Sequence, residues 1–121
     1  MYREIARSKI HRVRITETQL YYEGSITIDK DLLEAADIVE GEKVDVLNLA
    51  NGSRVQTYVI AAASGSGSVI LNGPAAKSGK KGDEVIIITY YLIPNNEIGK
   101  IKTTPRVVYV DENNRKVRVK E

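Results

Sequence analysis

Cysteine is absent from the 121 residues and histidine occurs once. The first absence excludes disulfides, thiolate metal sites and a cysteine nucleophile, and it fits a reducing cytoplasm. The second excludes a multi-histidine metal centre and a histidine proton relay, so no metal site is expected. No apolar run approaches the length that crosses a bilayer. Met1-Tyr2-Arg3-Glu4 opens into charged residues and not into a signal sequence. The expectation is a soluble cytoplasmic protein with no membrane partner. Charge of one sign is not in excess either: a formal net charge of +2 is too small to point to nucleic acid by itself. There is no glycine-rich phosphate loop of specific pattern, which argues against pyridoxal phosphate. With no internal repeat or low-complexity linker, residues 1–121 read as a single domain with one core.

What is present is a succession of short strands. Lys9 to Thr16 alternates, and its phase puts Lys9, His11, Val13 and Ile15 on one face, with Ile10, Arg12 and Arg14 on the other. Ser25 to Ile28 reads as a strand with Ile26 and Ile28 on one face. Asp29 is a good N-cap for a helix burying Leu32, Leu33 and Ala36, and Gly41 closes the turn after it. Lys43 to Leu49 and Arg54 to Ala62 are strands joined at Asn51-Gly52, a hairpin signal in which both central residues favour positive φ. The second of these strands shows Arg54, Gln56, Tyr58 and Ile60 on one face and Val55, Thr57 and Val59 on the other. Val69 to Leu71 is a buried strand leading into the small-residue turn Asn72-Gly73-Pro74-Ala75-Ala76. Glu84 to Ile93 is the most hydrophobic strand, stopped by Pro94. Arg106 to Val110 and Lys116 to Lys120 form a terminal hairpin around Asp111 to Asn114. The fold class is mainly β, a small closed or nearly closed barrel.

Tyr21-Tyr22-Glu23-Gly24-Ser25 has two readings. In one it is a turn, with glycine supplying a backbone conformation that other residues avoid. In the other, the Ser25 hydroxyl attacks the Gly24 carbonyl, the acyl group moves from nitrogen to oxygen, and the ester eliminates. The dehydroalanine left behind hydrolyses to a pyruvoyl group. Glycine suits the position because it has no Cβ to block the approach and tolerates strained dihedrals.

Five segments in order distinguish these readings. Lys9-Ile10-His11-Arg12-Val13, Tyr22-Glu23-Gly24-Ser25, Asn51-Gly52-Ser53-Arg54 with Thr57-Tyr58, Asn72-Gly73-Pro74-Ala75-Ala76 and Gly82-Asp83 together closely resemble the pyruvoyl-dependent aspartate 1-decarboxylases, from about Lys9 to Pro94. The resemblance implies a six-stranded double-psi β-barrel with one or two short helices. It implies a proenzyme that cuts itself between Gly24 and Ser25 into a 1–24 β chain and a 25–121 α chain, with 95–121 a divergent tail. It also implies conversion of L-aspartate to β-alanine and CO2 through a Schiff base with the Ser25-derived pyruvoyl group, β-alanine feeding pantothenate synthesis. By matching position, Tyr58 is the proton donor and Arg54 and Lys9 bind carboxylate. Thr57 contacts substrate and aligns the Gly24 carbonyl for cleavage. Asn72, Gly73, Pro74 and Ala75 line the pocket, and His11 and Tyr22 lie near the cleavage point. The cofactor is protein-derived, and the assembly is a homotetramer with sites at subunit interfaces.

Alternation sets Thr57 opposite Arg54 and Tyr58, so either the strand bulges there or the pocket draws on both faces across an interface. Pro74 and Leu47 depart from the family pattern, where alanine and an aromatic residue are common, as does Ile26, where a smaller residue is also seen. Two other readings compete. The segment from Ser25 to Val46 also resembles AbrB-like regulators, in which Arg3, Arg7, Lys9, Arg12 and Arg14 would contact phosphates. A purely structural barrel would remain uncut and bind nothing.

Overall fold

The computed structural model describes residues 1–121. Nine strands form one sheet with one short α-helix and two 3-10 turns. In chain order these are β1 (Tyr2–Arg14), β2 (Glu17–Gln19), β3 (Ser25–Asp29), α1 (Lys30–Ala36), β4 (Lys43–Asn48), β5 (Arg54–Ala62), β6 (Val69–Asn72), the turn Gly73–Ser78, β7 (Glu84–Pro94), the turn Asn95–Lys100, β8 (Arg106–Val110) and β9 (Lys116–Lys120). The mainly β, barrel-like class holds, but the strand count is nine where six were expected. The order across the sheet is β2-β6-β3-β5-β4-β7-β1-β8-β9. Most neighbours run antiparallel; β1 with β8, β2 with β6 and β3 with β5 run parallel.

The sheet curls because its distant parts are tied together. Just after β1, the Thr16 N–H donates to the Val69 carbonyl at 2.8 Å, and the Val69 N–H donates to the Thr16 hydroxyl at 2.9 Å, joining the end of β1 to the start of β6. The enclosed core is a single cluster of 17 buried residues, among them Ile10, Val13, Ile26, Ile28, Leu32, Val46, Val59, Leu71, Ile87 and Val108. Each such side chain contributes about 1.5–3 kcal/mol by leaving water. The tail belongs to this core: Val108 is fully buried, and β8 pairs with β1. Asn114 fastens the terminal hairpin. Its Oδ1 accepts from the Arg14 N–H at 2.8 Å and its Nδ2 donates to the Arg14 and Gly67 carbonyls at 2.8 and 2.9 Å.

Several local expectations hold. Asp29 caps α1, its carboxylate accepting from the Asp31 N–H at 2.8 Å, and Leu32, Leu33 and Ala36 are the helix's buried residues. Others are corrected. Strand β1 begins at Tyr2 and carries an irregularity between Ile10 and Val13, where Arg12 adopts φ 63°. That extra residue resets the phase, so Ile10 joins Val13 and Ile15 in the core and not the face opposite them. At Asn51-Gly52 only Gly52 has positive φ, 72°, and Leu49 to Ser53 all lie outside the strands, so the connection is a longer loop and not a tight two-residue turn. The small-residue turn expected after Asn72 is present, as a 3-10 turn over Gly73–Ser78.

Candidate active site

Ser25 opens β3 and is fully buried. Its hydroxyl donates to the Glu23 carbonyl at 3.3 Å and accepts from the Asn72 side-chain amide at 2.9 Å. Asn72 faces Ser25 across the β3–β6 ladder and uses its second amide proton on the Thr27 hydroxyl, also at 2.9 Å. The amide is thus held at two points and keeps the serine oxygen fixed.

The backbone demands glycine at Gly73 and not at Gly24. Gly24 does not adopt positive φ, and a Cβ there would meet only Pro74 Cδ at an ordinary 3.8 Å. The strained glycine is Gly73, at φ 65°. A Cβ on it would come within 2.8 Å of the Tyr22 carbonyl and 2.9 Å of both the Gly24 nitrogen and Cα. The bare backbone of Gly73 therefore packs on the chain leading to Ser25, and it brings Tyr22 and Gly24 to the same place. Pro74 follows in the first turn of the 3-10 segment, where a missing N–H costs little.

The β3–β5 register joins Ile26 to Val59. Continued by one residue it brings Tyr58 level with Ser25 on the same face, and by two it brings Thr57 level with Gly24 on the opposite face. Pairing of β5 is regular throughout, so no bulge at Thr57 reconciles the two faces. Arg54 shares the Tyr58 face but sits four residues earlier, ~13 Å along the strand. Lys9 is on β1, separated from β3 by β5, β4 and β7. A single chain therefore gathers Gly24, Ser25, Asn72, Gly73 and the Tyr22 backbone tightly, with Tyr58 and Thr57 alongside and Arg54 farther along β5. His11 packs edge-on against Tyr109, ring centroids 5.5 Å apart, and shares no hydrogen bond or strand pairing with the residues around Ser25. Burial, with Arg12 and Lys9 beside it, holds its imidazole below the ordinary value against the pull of Glu84.

The candidate residues have polar groups with no partner inside the chain. Lys9 forms no ion pair, and the Thr57 and Tyr58 hydroxyls form no hydrogen bond, although Tyr58 is 40% exposed. Arg54 is anchored by one nitrogen only. Its Nη1 donates to Asp45 Oδ2 at 2.8 Å and to the Tyr90 hydroxyl at 3.4 Å, and Tyr90 in turn donates to Asp45 at 3.2 Å. The Tyr90 hydroxyl and the Asp45 carboxylate raise the guanidinium above its ordinary value. Leu47 pairs with Arg54 and lines a cleft beside it with Leu49 and Ile86. On the other side, Glu4, Lys43, Asp45, Arg54, Gln56 and Tyr90 surround a hollow of about 290 Å³. A larger hollow of about 520 Å³ between α1 and the terminal hairpin touches none of the predicted site residues. Thr27, Asp45 and Tyr90 were not singled out from sequence. The alternation of Lys43 to Leu49 marks Asp45 as outward, but only the fold shows that Arg54 and Tyr90 cover it. Of the arginines in the regulator reading, Arg7 pairs with Asp37 and Glu42, and Arg12 with Glu84.

Fold and site together define a small mainly β protein with a buried serine that follows a glycine at the start of a strand. Comparison with known proteins gives this class a family. The sequence profile described as aspartate decarboxylase matches residues 1–117. The chain is 54% identical over 108 residues to the aspartate 1-decarboxylase of Salinibacter ruber, covering 89% of this chain and 73% of that one. It is 49% identical over 117 residues to that of Thermoanaerobacter pseudethanolicus, covering 97% and 98%, and 48% identical over 121 residues to that of Caldicellulosiruptor bescii, covering 100% and 93%. The chain belongs to the aspartate decarboxylase family, whose named members are carboxy-lyases.

Proposed function

We propose that this chain is an aspartate 1-decarboxylase that releases CO2 from L-aspartate to give β-alanine, a precursor for pantothenate, and that it makes its own pyruvoyl group from Ser25. The observation that carries the proposal is the buried Ser25 hydroxyl, fixed by Asn72 directly after a Gly24 backbone that packs on Gly73. The residues fit such a group: Ser25 is closed to bulk water, and the bare Gly73 backbone packs on the chain leading to the bond to be cut. In self-cleavage the Ser25 oxygen adds to the Gly24 carbonyl carbon and the peptide C–N bond breaks, leaving an ester and a free amine. Elimination across Cα–Cβ then frees the Gly24 carboxylate, and addition of water to the resulting enamine releases ammonia. Thr57, level with Gly24, is suited to hold the Gly24 carbonyl during the first step.

The pyruvoyl group supplies an electron sink for the pair left behind when CO2 departs. The remaining roles fall to side chains. The unpaired Tyr58 hydroxyl, level with residue 25, is the proton donor to the carbon that lost CO2. The Arg54 guanidinium grips a substrate carboxylate with its free edge, and the Lys9 ammonium assists as a point charge. Asn72 orients the substrate near residue 25, and the backbone of Gly73, Pro74 and Ala75 forms the wall. Arg54 sits about 13 Å along β5 from the position level with Ser25; in this reading a complete site takes it, with Lys9, from a neighbouring copy, and a homotetramer is part of this proposal. The double-psi crossing belongs to it too, supported by the parallel β3–β5, β1–β8 and β2–β6 pairs in a sheet whose other neighbours run antiparallel.

Intact mass under denaturing conditions, with and without borohydride, tests the reading. Wild type should give two fragments, Met1–Gly24 and a chain beginning at a hydride-reducible carbonyl, and Ser25→Ala should stay full-length and inactive. Processing of the Ser25→Ala chain would sink the mechanism.

A further inference from the structure

Asp45 is a carboxylate that the fold has covered without an evident structural return. It lies on β4 between Lys43 and Leu47, with its side chain only 8% exposed, and its sole cationic partner is Arg54. All of its hydrogen bonds fall on one oxygen, Oδ2, which accepts from Arg54 Nη1 and from Tyr90; Oδ1 has no partner. Covering the carboxylate costs it much of its hydration, and an ion pair to an arginine that stays largely in water returns little stability. Leu47 and Ile88 beside it on the same face show that an apolar residue would fit the surroundings. The pairing is therefore better explained by what it does to Arg54.

We propose that Asp45, steadied by Tyr90, is a positioning residue that fixes the Arg54 guanidinium for the substrate carboxylate. The inference rests on the reading of Arg54 as the carboxylate clamp. An arginine on the outer face of a strand, 56% exposed as this one is, samples many rotamers when free. Anchoring Nη1 removes most of that freedom before substrate arrives. Nε and Nη2 remain without partners, and together they form the parallel two-donor edge that matches a carboxylate. Ordering in advance raises affinity because the bound state no longer bears the cost. The Asp45 charge also offsets part of the attraction of Arg54 for anions, so a site selected for charge alone would lack it. Specificity follows: a carboxylate must meet a fixed fork at a set distance from residue 25, which favours one chain length of dicarboxylic amino acid over its homologue.

The test is the steady-state kinetics of Asp45→Asn and Tyr90→Phe beside wild type, each first shown by mass to be cut at residue 25. Asp45→Asn should raise KM for aspartate about tenfold and Tyr90→Phe about threefold, with kcat within about twofold of wild type. A purely structural ion pair would lower Tm and leave KM where it was. An unchanged or lowered KM in Asp45→Asn overturns the proposal. If that variant fails to fold or to cut, the KM of Tyr90→Phe decides, since it removes one hydroxyl from the same network; an unchanged value overturns it. A wild-type chain with no reducible carbonyl and no β-alanine production would defeat the reading of the site itself, and with it this inference.

Discussion

Gly73 shows how one residue sets the geometry of a site through an absence. Its φ of 65° and the 2.8 Å approach to the Tyr22 carbonyl leave no space for a methyl group. Gly73→Ala should cost about 1–3 kcal/mol through strain at the left-handed backbone. It should also slow self-cleavage, because the displaced atoms include the Gly24 nitrogen. Thermal unfolding and a time course of intact mass report both effects, and full-rate cleavage with unchanged Tm would count against this role. At this scale the sequence was readable where a residue's own chemistry speaks. The turn of small residues from Asn72 to Ala76 stood out, and alternation put Thr57 across the strand from Arg54 and Tyr58. Asp45 was not readable, since a carboxylate in an alternating strand looks solvated until Arg54, nine residues away, and Tyr90, forty-five away, are known to cover it.

Between elements, Glu42 is the tie that joins the turn before β4 to β1 and β7. Its carboxylate accepts from the Arg7 guanidinium, the Thr89 hydroxyl and the Val39 N–H. Burial pulls its pKa upward, but the bonds from Thr89, Arg7 and Val39 together hold it below the ordinary 4.5. A depressed carboxylate contributes stability above its unfolded value and loses it as pH falls through the folded one. Glu42→Gln should therefore cost about 1.5–3 kcal/mol at pH 7. In urea unfolding, the gap to wild type should close as the pH drops below 4.5. Parallel curves at all pH values would contradict this. Elements with strong local signals were legible, as the capped α1 and the terminal hairpin show. β2 was not, being three exposed residues whose only strand partner is β6, some fifty positions on. The bulge at Arg12 was missed because a single inserted residue preserves the look of alternation while reversing its phase.

For the whole molecule, the spacing of turns conveyed a barrel-like β fold, but not its order. β5 pairs antiparallel with β4 over its first half and parallel with β3 over its second, a change of neighbour that no local pattern encodes. In the proposed shared site Arg54 and Lys9 come from a neighbouring copy, so light scattering should report four copies, and an active monomer would refute that sharing. The way residues 1–24 are held has a further effect. They join the sheet through β1 beside β7 and β8 and through β2 beside β6. In the uncut chain these are loop closures within one molecule. If the bond after Gly24 breaks as proposed, the same ladders hold two molecules together. Folding then changes its molecularity: the midpoint of unfolding comes to depend on concentration, and a dilute, denatured sample must recover β1 by collision, as a heterodimer recovers its partner.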